Sequence, residues 1–285
     1  MLELYAFIAN EVFSLINAIG GIGIFLLGMS MLTNGLKEIA GETLKKWLHT
    51  FTKGTFTSLL TGFFMTVLVQ SSTATTILTV GFVSAGLLTF MQSIGIIIGA
   101  NIGSTSTGWI ISLLGFKISL QAMSLPMIAL GVFIQYVAPS DFKKYGGVFT
   151  GFGLLFLGID LLQKGMESAQ NWIHFDSLNT ESWLSVFLLI GIGIVMTIIM
   201  QASSAAMAAT LTALFAGAID FEQAAFLVVG QNIGTTATAI VASIGSSIAA
   251  KRTAATHLLF NVVTAVIVTI FIGYILQFVE FLTVA

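Results

Sequence analysis

VLVQSSTATT at residues 67–76 and IIMQASSAAM at residues 198–207 each set a glutamine and several hydroxyl side chains in the middle of a long apolar run. Polar groups in such surroundings are costly unless they are paired or put to use. The runs that contain them, 55–88 and 183–219, are each too long for one helix and short for two full crossings of a bilayer. Each is therefore expected to form a helical hairpin that turns at its glutamine and returns the chain to the face it left.

Working outward from these corners, a shift of 131 residues lays Gly62 on Gly193, Thr66 on Thr197, Gln70 on Gln201 and Ser72 on Ser203. The register continues without a gap through Gln92 and Gln223, Gly99 and Gly230, Asn101 and Asn232, Gly103 and Gly234, and Thr105 and Thr236. Upstream, FLLGMSMLTNG and LFLGIDLLQKG align with a one-residue offset. Apolar matches arise freely in membrane-like sequence, whereas polar residues held in one register do not. An odd number of crossings separates equivalent points, so the second copy is expected upside down relative to the first, the plan of secondary transporters. The fold expected is an all-α polytopic membrane protein with two inverted-topology repeats, about 13–138 and about 146–280, in one transmembrane transport domain over 1–285. Each repeat is expected to hold a re-entrant helical hairpin and a discontinuous transmembrane helix.

Composition agrees with a lipid environment. The chain has 285 residues, 56% hydrophobic and 8% charged, with a mean hydropathy of +1.03, and so few charges cannot cover a water-soluble domain. A net charge of −2 carries no sign of a nucleic-acid partner. With no cysteine, disulfide frameworks, thiolate metal sites and cysteine nucleophiles are excluded. Six further segments are apolar enough to span, at about 13–36, 91–115, 118–138, 146–163, 223–249 and 253–278. With each hairpin returning to its own face, Lys37, Lys45, Lys46, Lys53, Lys143, Lys144, Lys251 and Arg252 fall on one side and only Lys117 and Lys164 on the other. The positive-inside rule makes the first side cytoplasmic and both termini extracytoplasmic. Glu3, Glu11, Glu167, Asp176, Glu181, Asp220, Glu222 and Glu280 lie on or near the opposite side. The acidic N-terminal stretch has no basic region or cleavage signal and is expected to be retained as an interfacial helix. The basic run from Lys37 to Lys53 reads as a cytoplasmic surface helix against anionic lipid.

The chemistry concentrates in two motifs per copy. If the chain turns at Gln-Ser or Gln-Ala, the second helix of each hairpin starts there, with unpaired N–H groups and the positive end of its dipole facing the membrane centre. Serine and threonine cap such starts well. Two starts converging from opposite sides make an oxyanion site, to which the hydroxyls of Ser71, Ser72, Thr73, Ser203 and Ser204 add donors. The second motif is GANIGSTST at 99–107, mirrored by GQNIGTTAT at 230–238. Glycine beside asparagine within a span suggests an unwound segment, whose carbonyls with Thr and Asn oxygens suit a hard cation such as sodium. A multivalent oxyanion in low dielectric needs compensating charge, and no Lys or Arg is placed deep in the sequence of the spans to supply it. Bound cations would. Protons are the weaker candidate because the deep motifs hold no His, Asp or Glu. His49, His174 and His257 read as span-end residues without a role, and Asp160 as a helix-pairing acid.

These residues resemble the type II sodium–phosphate cotransporter family, whose signature is a Gln-Ser-Ser-Ser motif in each of two inverted repeats, followed by an Asn-Ile-Gly-Thr-type motif. QSST at 70–73 and QASS at 201–204 match the first, and NIGST and NIGTT the second, and the resemblance covers nearly the whole chain. It implies phosphate held between the hairpin tips by Gln70, Ser71, Ser72, Thr73, Ser203 and Ser204. It implies sodium held by Gln201, Asn101, Thr105, Asn232, Thr235 and Thr238. Ala202 stands where the pattern has its first serine and Thr73 where it has its third, so one hydroxyl is missing. The resemblance is to a bacterial member without the soluble C-terminal domain that many carry.

The function expected on this basis is sodium-coupled import of inorganic phosphate by alternating access through an inner membrane. The alternative is a cation-coupled carrier for sulfate or a small carboxylate, with an anion channel behind it. An intramembrane serine hydrolase would need a base beside its serine, and none is placed deep enough. No cofactor is expected beyond co-transported sodium. Phosphate, sodium and membrane lipid are the partners, with a homodimer an option and no nucleic acid.

Overall fold

In lipid no hydrophobic force selects which helices pair, so shape and the closeness of backbones decide. The computed structural model describes residues 2–52, 54–115, 120–169 and 178–284, with side chains over 12–40, 46, 52, 54–113, 122–166 and 178–282. Among the sidedness residues, Lys45, Lys53, Lys117, Glu3, Glu11, Glu167 and Asp176 lie outside the described side chains, as do His49 and His174. The chain runs α1 (Leu2–Phe51), α2 (Thr55–Val69), α3 (Ser72–Ser84), α4 (Phe90–Gly115), α5 (Leu120–Val137) and, after a 3-10 turn at Ser140–Phe142, α6 (Lys143–Ala169). It continues with α7 (Trp183–Met200), α8 (Ser203–Phe215), α9 (Phe221–Gly234), α10 (Thr236–Ser243), α11 (Ile248–Ile270) and α12 (Ile272–Val284). Among the described residues there are helices and no strands. Six of these stretches are long and apolar enough to cross a membrane: Val12–Ala40, Phe90–Leu113, Ser140–Met166, Trp183–Met200, Phe221–Ser243 and Ile248–Ile270.

The most extensive packing is between α1 and α6, and it is reciprocal. A Cβ on Gly28 would stand 2.5 Å from the Leu155 nitrogen and one on Gly158 2.5 Å from that of Phe25. One on Gly21 would meet Leu162 at 2.6 Å and one on Gly151 would meet Leu32 at 2.5 Å. The contacts run in opposite senses along the two helices, so α1 and α6 are antiparallel, and they join segments that align with a shift of 130 residues.

A second recurrence sits between the hairpins and the helices that follow them. A Cβ on Gly62 would overlap the Ile96 carbonyl and one on Gly193 the Leu227 carbonyl. Gly99 is likewise closed off by the carbonyl of Leu59 and Gly230 by that of Ile190. The contacts of Gly95 with Thr55, Gly99 with Leu59 and Gly103 with Phe63, and of Gly230 with Ile190 and Gly234 with Ile194, rise together, so α2 runs parallel to α4 and α7 parallel to α9. The starts of α4 and α9 are built alike: Thr89 N–H donates to Gln92 Oε1 at 2.8 Å, and Asp220 N–H to Gln223 Oε1 at 2.9 Å. Gly86 and Gly217, at φ of 73° and 75°, close the ends of α3 and α8 in the left-handed region that glycine adopts without penalty.

These contacts fix where the hairpins turn. The Gln92 amide donates to the Thr52 carbonyl, so the chain just before α2 lies beside the start of α4, and α3 ends only a short loop before that start. The 15-residue α2 is about 22 Å long and the 13-residue α3 about 20 Å, less than the roughly 30 Å of a bilayer core. Neither helix of the first hairpin is therefore long enough to cross, whereas in the second α7 is an 18-residue helix of spanning length and α8 has 13 residues.

The unwound segment expected in each copy is absent from the first. Helix α4 runs unbroken from Phe90 to Gly115, straight through Asn101 and Thr107. In the second copy the interruption is a single residue, Thr235, whose φ of −60° and ψ of −24° are still helical. Gly99 and Gly103 are needed where α2 presses against α4, and that use leaves the helix intact. Two span boundaries also move: the segment expected at 223–249 stops at Ser243, and that at 253–278 divides at Phe271 into α11 and α12. Among the glycines of α1 and α7, Gly21, Gly28 and Gly193 sit at helix contacts, while Gly20, Gly23 and Gly191 face no neighbour within 4 Å.

Candidate functional site

Both hairpins break at their glutamine. Gln70 and Gln201 end α2 and α7 at φ of 54° and 51°, and they are the only non-glycine residues at positive φ among those described. Such backbone costs of order 1 kcal/mol or more per residue and persists where the surroundings demand it. The next residue is extended in both cases, Ser71 at φ −152° and Ala202 at φ −147°, and α3 and α8 then begin. The first N–H groups of a helix have no partner within it.

The two corners wall one cavity of about 290 Å³. Gln70, Ser71, Ser72 and Thr73 line it from the first hairpin and Gln201, Ala202, Ser203 and Ser204 from the second. Helix α4 adds Ser104 and Thr107, and α1 adds Ser30, Thr33, Asn34 and Lys37. Among the described residues no carboxylate borders it. A chamber lined by hydroxyls, amides, two helix starts and one ammonium group, with no negative charge, is suited to an oxyanion. All six residues expected to hold phosphate line this chamber. So does Gln201, expected to hold sodium.

A second cavity, about 390 Å³, adjoins the first, sharing Ser104 and Ser203 with it. Asn101, Thr105, Asn232 and Thr235 border it, while Thr238 borders neither. Thr105 and Thr235 donate to carbonyls three residues earlier, Ile102 at 2.7 Å and Asn232 at 2.6 Å, and Thr238, outside the cavity, donates to Thr235 at 3.0 Å. The carbonyls are thus occupied within a helix, but each hydroxyl oxygen keeps lone pairs that a hard cation could use.

Three residues bear on the site in ways the sequence did not display. His257 lies well inside α11 and is buried, with Nε2 3.2 Å from Asn101 Oδ1, which corrects its reading as a span-end residue. An amide oxygen only accepts, so the ring presents Nε2–H. Asn101 Nδ2 donates to Asn261 Oδ1 at 3.3 Å, and Asn261 Nδ2 to the His257 carbonyl at 2.8 Å, closing a ring that ties α4 to α11. Gln231, buried beside the second cavity, donates to Thr210 Oγ1 at 2.6 Å and to the Ala206 carbonyl at 3.0 Å, while its Oε1 has no hydrogen-bond partner. Its counterpart in the first copy is Ala100, so the repeat gave no signal for it. Lys37, expected to face lipid, instead borders the first cavity. Asp160, expected to pair helices, instead pairs with Lys164 at 2.7 Å one turn along its own helix.

Comparison with known proteins adds a family to this geometry. The sequence pattern of the Na+/Pi-cotransporter family matches residues 24–164 and 174–283. The chain is 32% identical over 263 residues to "Uncharacterized protein YqeW" of Bacillus subtilis (strain 168), covering 90% of this chain and 82% of that one. It is 28% identical over 263 residues to "Putative inorganic phosphate export protein YjbB" of Escherichia coli (strain K12), and there it spans only 47% of the relative's length. Over 102 residues, 35% of this chain and 15% of the relative, it is 32% identical to "Sodium-dependent phosphate transport protein 2B" of Homo sapiens. No solved structure matches the chain.

Proposed function

Because this chain belongs to the Na+/Pi-cotransporter family, we propose that it is a multi-pass membrane carrier that moves inorganic phosphate together with sodium by alternating access. The observation that carries this reading is the cavity walled by both glutamine corners and bordered, among the described residues, by no carboxylate. Phosphate would sit there on the hydroxyls of Ser71, Ser72, Thr73, Ser203 and Ser204 and on the first N–H groups of α3 and α8, with Gln70 shaping the wall. Sodium would sit in the adjoining cavity on oxygens of Asn101, Thr105, Asn232 and Thr235. Gln201, which shares the first chamber, would reach a sodium only where that ion touches phosphate, and Thr238 would contribute only after a shift of α10.

The two copies are read as inverted relative to one another, a reading supported by the reciprocal α1–α6 contacts. In that reading both hairpins are re-entrant, their tips meet near mid-membrane, and alternate exposure follows from one copy rocking against the other. Coupling is needed on energetic grounds. An inside-negative potential opposes anion import by about 2.3 kcal/mol per charge per 100 mV, which co-transported cations offset.

With an inward sodium gradient this carrier would import. Net export is the second reading, favoured by the name that the YjbB relatives carry. Uptake of radiolabelled phosphate into proteoliposomes under imposed sodium, proton or potassium gradients tests both. The proposal expects saturable uptake driven by inward sodium alone. Uptake that ignores sodium would refute the coupling, and the absence of any phosphate flux would refute the substrate.

A further inference from the structure

The oxyanion chamber has one charged wall. Ser30, Thr33, Asn34 and Lys37 recur at helical spacing along α1, and all four line it. Lys37 and Asn34 are exposed, so the chamber reaches the surface at that edge. Beyond Asn34 lies a bay of about 540 Å³, also bordered by Asn34, whose charged groups are Lys143, Lys144 and Glu38. Among the described residues none of the three lysines has a carboxylate oxygen within 4 Å, and Lys144 stands 5.7 Å from the centre of the Tyr145 ring. The bay and the chamber therefore meet at Asn34, with positive charge outnumbering negative on the way in.

We infer that Lys37, with Lys143 and Lys144 in the bay beyond Asn34, forms a vestibule that gathers phosphate and sets its affinity for the chamber on the face rich in basic residues. The inference rests on the phosphate reading above and extends it to residues outside both hairpin tips. The physical basis is focusing. A cleft with low-dielectric walls and one sign of charge concentrates oppositely charged solutes and speeds their capture by roughly tenfold or more, an effect that salt weakens. Lys37 is suited to this role rather than to permanent neutralisation of a bound anion, because it stands at an exposed edge where water can exchange around it.

The test uses the whole chain, purified into nanodiscs of neutral lipid and titrated with radiolabelled inorganic phosphate at constant sodium, with choline chloride raising the ionic strength. Wild-type affinity should fall as salt rises. K37Q should bind phosphate about five- to tenfold more weakly at low salt and show a flatter salt dependence. K37R should stay close to wild type, and K143Q/K144Q should show a smaller loss of the same kind. Rescue by arginine together with loss of salt dependence would not arise from a merely structural lysine. Wild type that saturates normally while K37Q keeps the same affinity and salt slope overturns the vestibule alone. Wild type that fails to bind phosphate overturns the functional reading and the vestibule with it. A difference between K37Q and wild type that appears only when anionic lipid is added assigns the lysine to lipid headgroups and also overturns the inference.

Discussion

The two hairpin tips share a backbone and differ in how they are fastened. At the first, Gln70 Nε2 donates to the Val67 carbonyl at 2.6 Å and to Ser106 Oγ at 3.2 Å, and Thr107 Oγ1 donates to Gln70 Oε1 at 3.0 Å. Ser71 then caps α3 by accepting from Ala74 N–H at 3.1 Å. At the second, Gln201 is exposed and makes no hydrogen bond among the described residues, and α8 starts from Ala202 with no side-chain cap. Thr238, which occupies the register position of Thr107, bonds to Thr235 instead. Two hydroxyls account for the difference, since Ser71 and Ser106 correspond to Ala202 and Ala237. One corner is tied to its neighbours by hydrogen bonds and the other, among the described residues, is not. A repeated architecture can thus divide its labour without changing its fold.

Where the halves are built alike they should fail alike. Gly99→Ala and Gly230→Ala each drive a methyl group into a backbone carbonyl that cannot move aside, and each should cost about 3 kcal/mol, read as lost yield and lowered unfolding temperature in detergent. A large difference between them would break the equivalence on which the comparison rests. The tips should then separate. Gln201→Ala should lower phosphate transport at least tenfold with the unfolding temperature unmoved. Gln70→Ala should lower transport and also cost about 1–2 kcal/mol, because Ser106 and Thr107 lose their shared partner. Equal stability losses in the two variants would show that the free corner is not free. At the next scale, Ser71→Ala should remove a cap worth about 1 kcal/mol, and Ala202→Ser should add one worth somewhat less.

Much of this asymmetry was legible in the sequence, but only in part. Both helix breaks fall where the sequence placed them, at a glutamine followed by residues that can start a helix, whereas a glutamine alone marks no break, as Gln231 within α9 and Gln277 within α12 show. Ala202 announced the missing cap. The continuity of α4 was not legible, because glycine serves unwinding and close packing by the same loss of a Cβ, and the choice depends on whether α2 lies against it. His257 and Lys37 were misread for a related reason. A histidine's worth depends on which helix runs beside it, here α4 reached from α11 across 156 residues of chain. A lysine near the end of a span shows its charge but not the side of the helix it occupies. Periodicity and composition describe single helices, whereas these two roles belong to pairs.

The smallest change asks most of the comparison. Ala237→Ser would place at the second tip the hydroxyl that Ser106 offers the first, giving the Gln201 amide an acceptor at the matching register position. A net hydrogen bond contributes about 0.5–1.5 kcal/mol, and ordering a free glutamine costs up to about 2 kcal/mol, so the two nearly cancel. The unfolding temperature should therefore hardly move. Transport should nonetheless slow, by about twofold, because a corner latched part of the time is withheld from its ligand for that part. Ser106→Ala should act in the opposite sense at the first tip, loosening Gln70 without reaching the loss expected of Gln70→Ala. If Ala237→Ser left phosphate flux unaltered while Ser106→Ala reduced it, the free glutamine would be an incidental gap in the packing, and the division of labour between the tips would have to be sought in Ala202 alone.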